Sequence, residues 1–173
     1  MRKIWAPWRA EYLHCIGNKH GKRRCLFCVL LRSDQDQENL ILYRARLGFI
    51  VMNRFPYNSG HLMVAPCRHT ARLEALTQAE ASEIFQLIQK SVTVLKKEFK
   101  PQGFNIGANL GAVAGAGVTG HLHFHIVPRW QGDTNFMPLL SETKVISDHL
   151  KTTYERLAKH FPRVRRLKGM KEW

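Results

Sequence analysis

No apolar run in this 173-residue chain approaches the ~20 residues that a membrane-spanning helix needs. The opening residues, Met1-Arg2-Lys3-Ile4-Trp5-Ala6-Pro7-Trp8, lack the apolar stretch of a signal peptide. Together these absences predict a cytoplasmic protein with no membrane partner. Cysteine is sparse, with Cys15, Cys25, Cys28 and Cys67 only. In a reducing compartment, that argues against a disulfide framework. Acidic side chains are scarce as well: 13 Asp and Glu stand against 27 Lys and Arg, for a formal net charge of +14. This balance favours anionic partners, whether nucleotides, polyphosphates or nucleic acid. The sequence shows no internal repeat and no Gly-Lys-Ser/Thr ending of a P-loop.

What remains is a globular composition, 45% apolar, of a length that suits one domain. The basic residues concentrate at Lys19 to Arg24 and in a tail carrying Arg163, Arg165, Arg166, Lys168 and Lys171. Such clusters serve an anionic partner or are simply solvated chain ends. The organisation reads as an N-terminal arm over residues 1–24, a domain over 25–161 and a basic tail over 162–173. Trp5 and Trp8 are expected to anchor the arm by burying their rings.

Local patterns place the elements. Leu26 to Arg32 suggests a short helix, and Leu40 to Tyr43 and Leu47 to Met52 suggest strands. Pro56, Asn58 and Gly60 mark a turn before another strand, His61 to Ala65, which Pro66 stops. Thr77 and Glu80 form a capping box ahead of Ile84, Leu87, Ile88, Ser91, Val92 and Leu95, so a helix runs to about Phe99 before Pro101. Gly103 to Asn109 reads as a strand, and Ser147 to Phe161 as a final helix. Strands outnumber helices and connections are local, which predicts an α+β domain with an antiparallel sheet.

The strongest signal is His121-Leu122-His123-Phe124-His125-Ile126-Val127. Residues i, i+2 and i+4 of a strand share a face, so the three imidazoles line one side and Leu122, Phe124 and Ile126 the other. Metal binding and nucleophilic catalysis by neutral imidazole both fit. Inert packing fits poorly, because crowded imidazoles depress one another's pKa. The loop Gly111 to Gly120 leads straight into this run, and its glycines let backbone amides approach an anion closely; it equally serves as a flexible connector. Cys25-Leu26-Phe27-Cys28 has the spacing of a zinc knuckle or a redox pair. Trp130, after the histidines, is placed to stack on a base, to wall a pocket or to pack as a buried aromatic.

The alternating histidine run resembles the signature of the histidine triad (HIT) superfamily of nucleotide-binding hydrolases and transferases. Asn53 through Pro66, the long helix and the C-terminal segment extend the likeness over roughly residues 25 to 160. The Pro128-Arg129-Trp130-Gln131-Gly132-Asp133-Thr134-Asn135-Phe136 ending and the Trp-rich N-terminus resemble the branch that acts on diadenosine tetraphosphate. The resemblance implies an antiparallel sheet of about five strands with a long central helix and a C-terminal helix. It implies His123 as nucleophile at the α-phosphorus, His125 on a phosphate oxygen, His121 orienting the site and His61 buttressing it. Asn53 would bond the ribose, and Phe49 and Ile50 would neighbour the adenine. Asn109, Gly117, Thr119 and Trp130 complete the expected nucleotide contacts. Many members carry Gln-Ser or Gln-Thr before the triad; here Gly115 to Gly120 stands there, and loop amides or Thr119 take that role.

The same resemblance implies a structural zinc held by Cys25, Cys28, His69 and His121, with Mg²⁺ brought by a polyphosphate substrate. It also implies a homodimer. The expected activity is cleavage of a dinucleoside polyphosphate, with phosphate or water as acceptor. Rival readings are a nucleoside phosphoramidate or AMP-lysine hydrolase of the same superfamily, a nucleotide-binding partner with vestigial chemistry, and a nucleic-acid binder using the basic ends.

Overall fold

The computed structural model describes residues 25–133 and 149–162. The N-terminal arm with Trp5, Trp8 and Cys15, and residues 163–173 of the tail, lie outside the described residues. In chain order the elements are α1 (Leu26–Arg32), β1 (Ile41–Arg44), β2 (Gly48–Met52), β3 (Leu62–Pro66), α2 (Gln78–Phe99), β4 (Gly103–Ala108), β5 (Phe124–Arg129) and α3 (Leu150–Ala158). The strands form one five-stranded sheet in the order β1-β2-β3-β5-β4, every neighbouring pair antiparallel. No helix among the described residues is long and apolar enough to cross a membrane.

Strand alternation divides the sheet into two unlike faces. One face carries Ile50, Met52, Leu62, Val64 and Ile126, which pack beneath Ile84, Leu87, Ile88 and Leu95 of α2. That helix starts at the Thr77–Glu80 capping box and stops at Lys100, whose left-handed backbone (φ 48°) precedes Pro101. α3 joins it through Glu98, which accepts from Arg156 Nε at 2.8 Å and pairs with His160 Nε2 at 2.9 Å. The other face carries Ile41, Phe49, Val51, Met63 and Ala65, capped by Phe27 from α1. α1 has no side-chain cap at its start. Its end is held by Arg44, which donates to the carbonyls of Leu31 and Ser33 at 2.8 Å each and of Leu30 at 3.2 Å, and pairs with Asp36.

The histidine strand begins later than its alternating pattern predicts. β5 pairs with β3 only as far as Phe124 opposite Val64, so His121 to His123 form an extended lead-in. The register would set Leu122 opposite Pro66, which has no N–H to give. The Leu122 N–H turns instead to the Thr70 carbonyl, 2.6 Å away. The final helix is shorter than Ser147 to Phe161; residues 147 and 148 lie outside the described residues.

Candidate active site and metal centre

The lead-in and β5 carry their histidines on the face opposite α2, and the rings of His121 and His123 are each set by a backbone carbonyl. His123 Nδ1 lies 2.8 Å from the His121 carbonyl. A carbonyl only accepts, so Nδ1 carries the proton and the lone pair sits on Nε2. Burial pushes the His123 pKa below its ordinary value, which keeps the ring neutral at pH 7 and nucleophilic. His121 Nε2 lies 2.9 Å from the Pro66 carbonyl, so its lone pair is on Nδ1. Burial, against the Pro66 bond and with the neighbouring His69 and His123 adding to it, brings His121 down to about 4.

A fourth histidine completes the row. His61, 1% exposed ahead of β3, has Nε2 3.0 Å from His125 Nδ1. The Tyr57 backbone N–H donates to His61 Nδ1 at 3.1 Å, and the Asn53 amide nitrogen approaches the same atom at 3.3 Å. His61 Nδ1 therefore accepts, and its proton is on Nε2, donated to His125 Nδ1. The neutral His125 ring then carries its own proton on Nε2. Tyr57 also stacks on His61, with ring centroids 4.9 Å apart. A groove of about 500 Å³ opens beside His125, lined by Tyr57, Asn58, Gly107, Asn109 and Arg129 among others. Its far end is braced by Arg129, which grips Asp133 through two bonds of 2.6 and 2.7 Å and reaches Asn105 at 2.7 Å.

Cys25, Cys28, His69 and His121 gather their ligand atoms within 4.8 Å of one another. His121 Nδ1 is 3.3 Å from Cys25 Sγ and 3.7 Å from Cys28 Sγ, and His69 Nδ1 is 3.4 Å from Cys28 Sγ. A zinc tetrahedron with bonds of about 2.3 Å to sulfur and 2.0 Å to nitrogen has sulfur–nitrogen edges of about 3.6 Å. The donor set fits that shape, and the Nδ1 lone pair of His121 points where a metal needs it. Burial and the adjacent Cys25 push the Cys28 thiol up to about 11. A divalent cation reverses that penalty by binding the thiolate.

The other residues expected from the sequence are placed unevenly. Asn109 lines the groove. Asn53 turns its amide inward, nitrogen on His61 and oxygen accepting from the Phe55 N–H at 2.9 Å. Gly117 and Thr119 are exposed on the loop before the lead-in, flanking Val118, which packs on the α1-side cluster. Phe49 lies on the histidine side but is wholly covered, edge-on to Phe27. Ile50 is buried under α2 on the opposite face. Consecutive strand residues point to opposite sides, so Phe49 and Ile50 cannot line one pocket. Trp130 follows the end of β5 and is absent from the groove lining. Seven residue steps of extended chain, about 23 Å, separate it from His123.

Four residues that shape the site were not assigned to it from the sequence. Phe27 packs on both His121 and His123, Tyr57 orients His61, and Pro66 with Thr70 fixes the lead-in. Phe27 carried a signal as a bulky apolar residue between two cysteines of zinc-knuckle spacing, and Pro66 carried one as the stop of its strand.

Comparison with known proteins agrees with this geometry. A family model described as HIT domain matches residues 34–132. An AP-4-A phosphorylase of Mycobacterium tuberculosis is 38% identical over 167 residues, spanning 94% of this chain and 86% of the relative. An asymmetrical bis(5'-nucleosyl)-tetraphosphatase of Schizosaccharomyces pombe is 37% identical over 93 residues, 54% of this chain and 50% of the relative. The solved structure of a Zn-bound histidine triad family protein from Mycobacterium smegmatis shares the fold with a TM-score of 0.63 at 21% identity, covering 81% of this chain and 94% of that one.

Proposed function

The chain belongs to the HIT family, and on that footing we propose that it cleaves dinucleoside polyphosphates, diadenosine tetraphosphate first among them, through a nucleotidyl group carried on His123. The observation that carries this reading is the 2.8 Å bond from His123 Nδ1 to the His121 carbonyl, which commits the Nε2 lone pair of a neutral ring to attack. The AP-4-A phosphorylase relative, similar over nearly the whole chain, supports the choice of substrate.

In the first step Nε2 of His123 forms a bond to the α-phosphorus as the bond from that phosphorus to its bridging oxygen breaks, releasing ATP. In the second, an acceptor oxygen displaces the imidazole and regenerates the lone pair. Splitting one displacement into two lowers each barrier. His125, with its proton on Nε2, donates to phosphate oxygen as negative charge builds there. His61 holds that tautomer in place and touches no substrate. The groove beside His125 offers room for the leaving half of the substrate. Asn53 reads here as a support for His61 as well as a ribose contact. Mg²⁺, which a polyphosphate carries with it, belongs to the substrate. Zinc at Cys25, Cys28, His69 and His121 would supply a structural tie, closed to substrate by its four protein ligands.

Phosphate as acceptor gives ADP beside ATP, and water gives AMP beside ATP. Product analysis with diadenosine tetraphosphate, with and without inorganic phosphate, tests the reading. We expect phosphate-dependent ADP. Failure to cleave the dinucleotide under either condition would refute the substrate assignment.

A further inference from the structure

Phe27 stands in the middle of the Cys25–Cys28 turn and is 1% exposed. Its ring centroid is 5.0 Å from His123 and 5.2 Å from His121. On another side His123 meets His125, whose ring is 4.9 Å away and nearly perpendicular. The imidazole read above as the nucleophile therefore leans on a side chain from the metal-binding turn.

That turn is also held by packing, with Phe27 buried among Ile41, Phe49 and Val51 and with Cys25, Leu30 and Leu31 set against the same cluster. α1 is seven residues long with no side-chain N-cap, too short to hold its shape unaided. Arg44 secures its C-terminal end. At the N-terminal end the polar tie is the donor set, with Cys25 Sγ 3.3 Å from His121 Nδ1. The same His121 offers the carbonyl that fixes the His123 proton. Two links thus run from the donor set to one ring, one through Phe27 and one through the His121 backbone.

We propose that Phe27 is a positioning residue for His123, and that the Cys25–Cys28 turn, closed on a divalent metal, presses this ring against the nucleophile and so sets its orientation. The metal acts on the reaction without meeting the substrate. Loosening Phe27 frees the imidazole to rotate away from the His121 carbonyl and exchange tautomers. Misplacing a reacting atom by about 1 Å costs on the order of a hundredfold in rate. The inference rests on His123 being the nucleophile.

Phe27→Leu and the better-filling Phe27→Met, both metal-loaded, provide the test, beside native protein stripped of metal by a chelator. The readouts are metal content, the nitrogen spectrum of the His123 imidazole, and kcat and KM with diadenosine tetraphosphate. Expected are retained metal in both variants, a mixture of His123 tautomers in place of the single Nδ1–H form, and kcat lowered roughly tenfold to a hundredfold with KM nearly unchanged. Chelated native protein shows the same mixture. An unchanged Nδ1–H spectrum in the variants, or in the metal-free protein, overturns the proposal. That readout needs no turnover, so failure of the nucleophile assignment shows separately, as retained cleavage by His123→Ala.

Discussion

His61 Nε2 lies 3.0 Å from His125 Nδ1, and this contact decides which nitrogen of His125 holds its proton. The backbone N–H of Tyr57 settles the direction from the other side of His61. A chain of single-acceptor choices therefore runs from a turn amide to the edge of the groove. Replacing His61 by Ala removes the donor and lets His125 take either tautomer. The expected outcome is a kcat for diadenosine tetraphosphate cleavage lowered by about a hundredfold, the lower end of a general acid–base contribution, with KM little changed. Steady-state kinetics separates the two constants. A raised KM at unchanged kcat would make His61 a binding residue.

The donor set makes a stoichiometric claim. Purified protein should contain about one zinc per chain, and Cys28→Ser should lower that content and the melting temperature together. Metal analysis and calorimetry check this. Full metal content in Cys28→Ser would remove Cys28 from the site.

Glu80 provides the pH dependence. The bond from Arg68, 2.8 Å away, does most to hold its carboxyl down at about 2, and the Thr77 bonds add to this against its burial. A carboxyl depressed in the folded state stabilises fully above its unfolded pKa, near 4.5, and the contribution is lost as pH falls through about 2. Arg68→Ala brings the folded value back up. The stability gap between native protein and variant should therefore be widest at neutral pH and close as pH approaches 2. Urea unfolding at several pH values measures it. A gap independent of pH would contradict this assignment.

Gly60 turns the chain into β3 with φ +77°, and an added Cβ would stand 3.0 Å from Leu95 Cδ2. Gly60→Ala should therefore lower stability by more than about 1 kcal/mol, through a strained backbone and an overfilled core. It should also weaken the site, because His61 is the next residue. Chemical denaturation with a parallel activity assay tests both.

Much of this arrangement was legible in the sequence because its signals are local. The capping box of Thr77 and Glu80, the halt at Pro101 and the period-two histidines each depend on residues close in the chain. The convergence of Cys25, Cys28, His69 and His121 came through family resemblance, since cysteine spacing alone leaves the partner ligands open. What escaped depends on register and on backbone donors. Nothing local says that Pro66 falls opposite Leu122 and cuts the ladder short, or that the Tyr57 amide aims at His61. That Phe49 and Ile50 fall on opposite sheet faces also escaped, because a resemblance names positions without saying which face each one takes. Trp130 illustrates the same limit: near the triad in sequence, it follows the far end of an extended strand.

The most direct measurement is a trap of the reaction intermediate. Native protein mixed with diadenosine tetraphosphate, quenched rapidly in alkali and digested, should yield a peptide in which His123 alone carries one adenylyl group, and His123→Ala should yield none. Turnover with the adenylyl group on another residue, or with no adduct at any time point before products accumulate, would contradict the account.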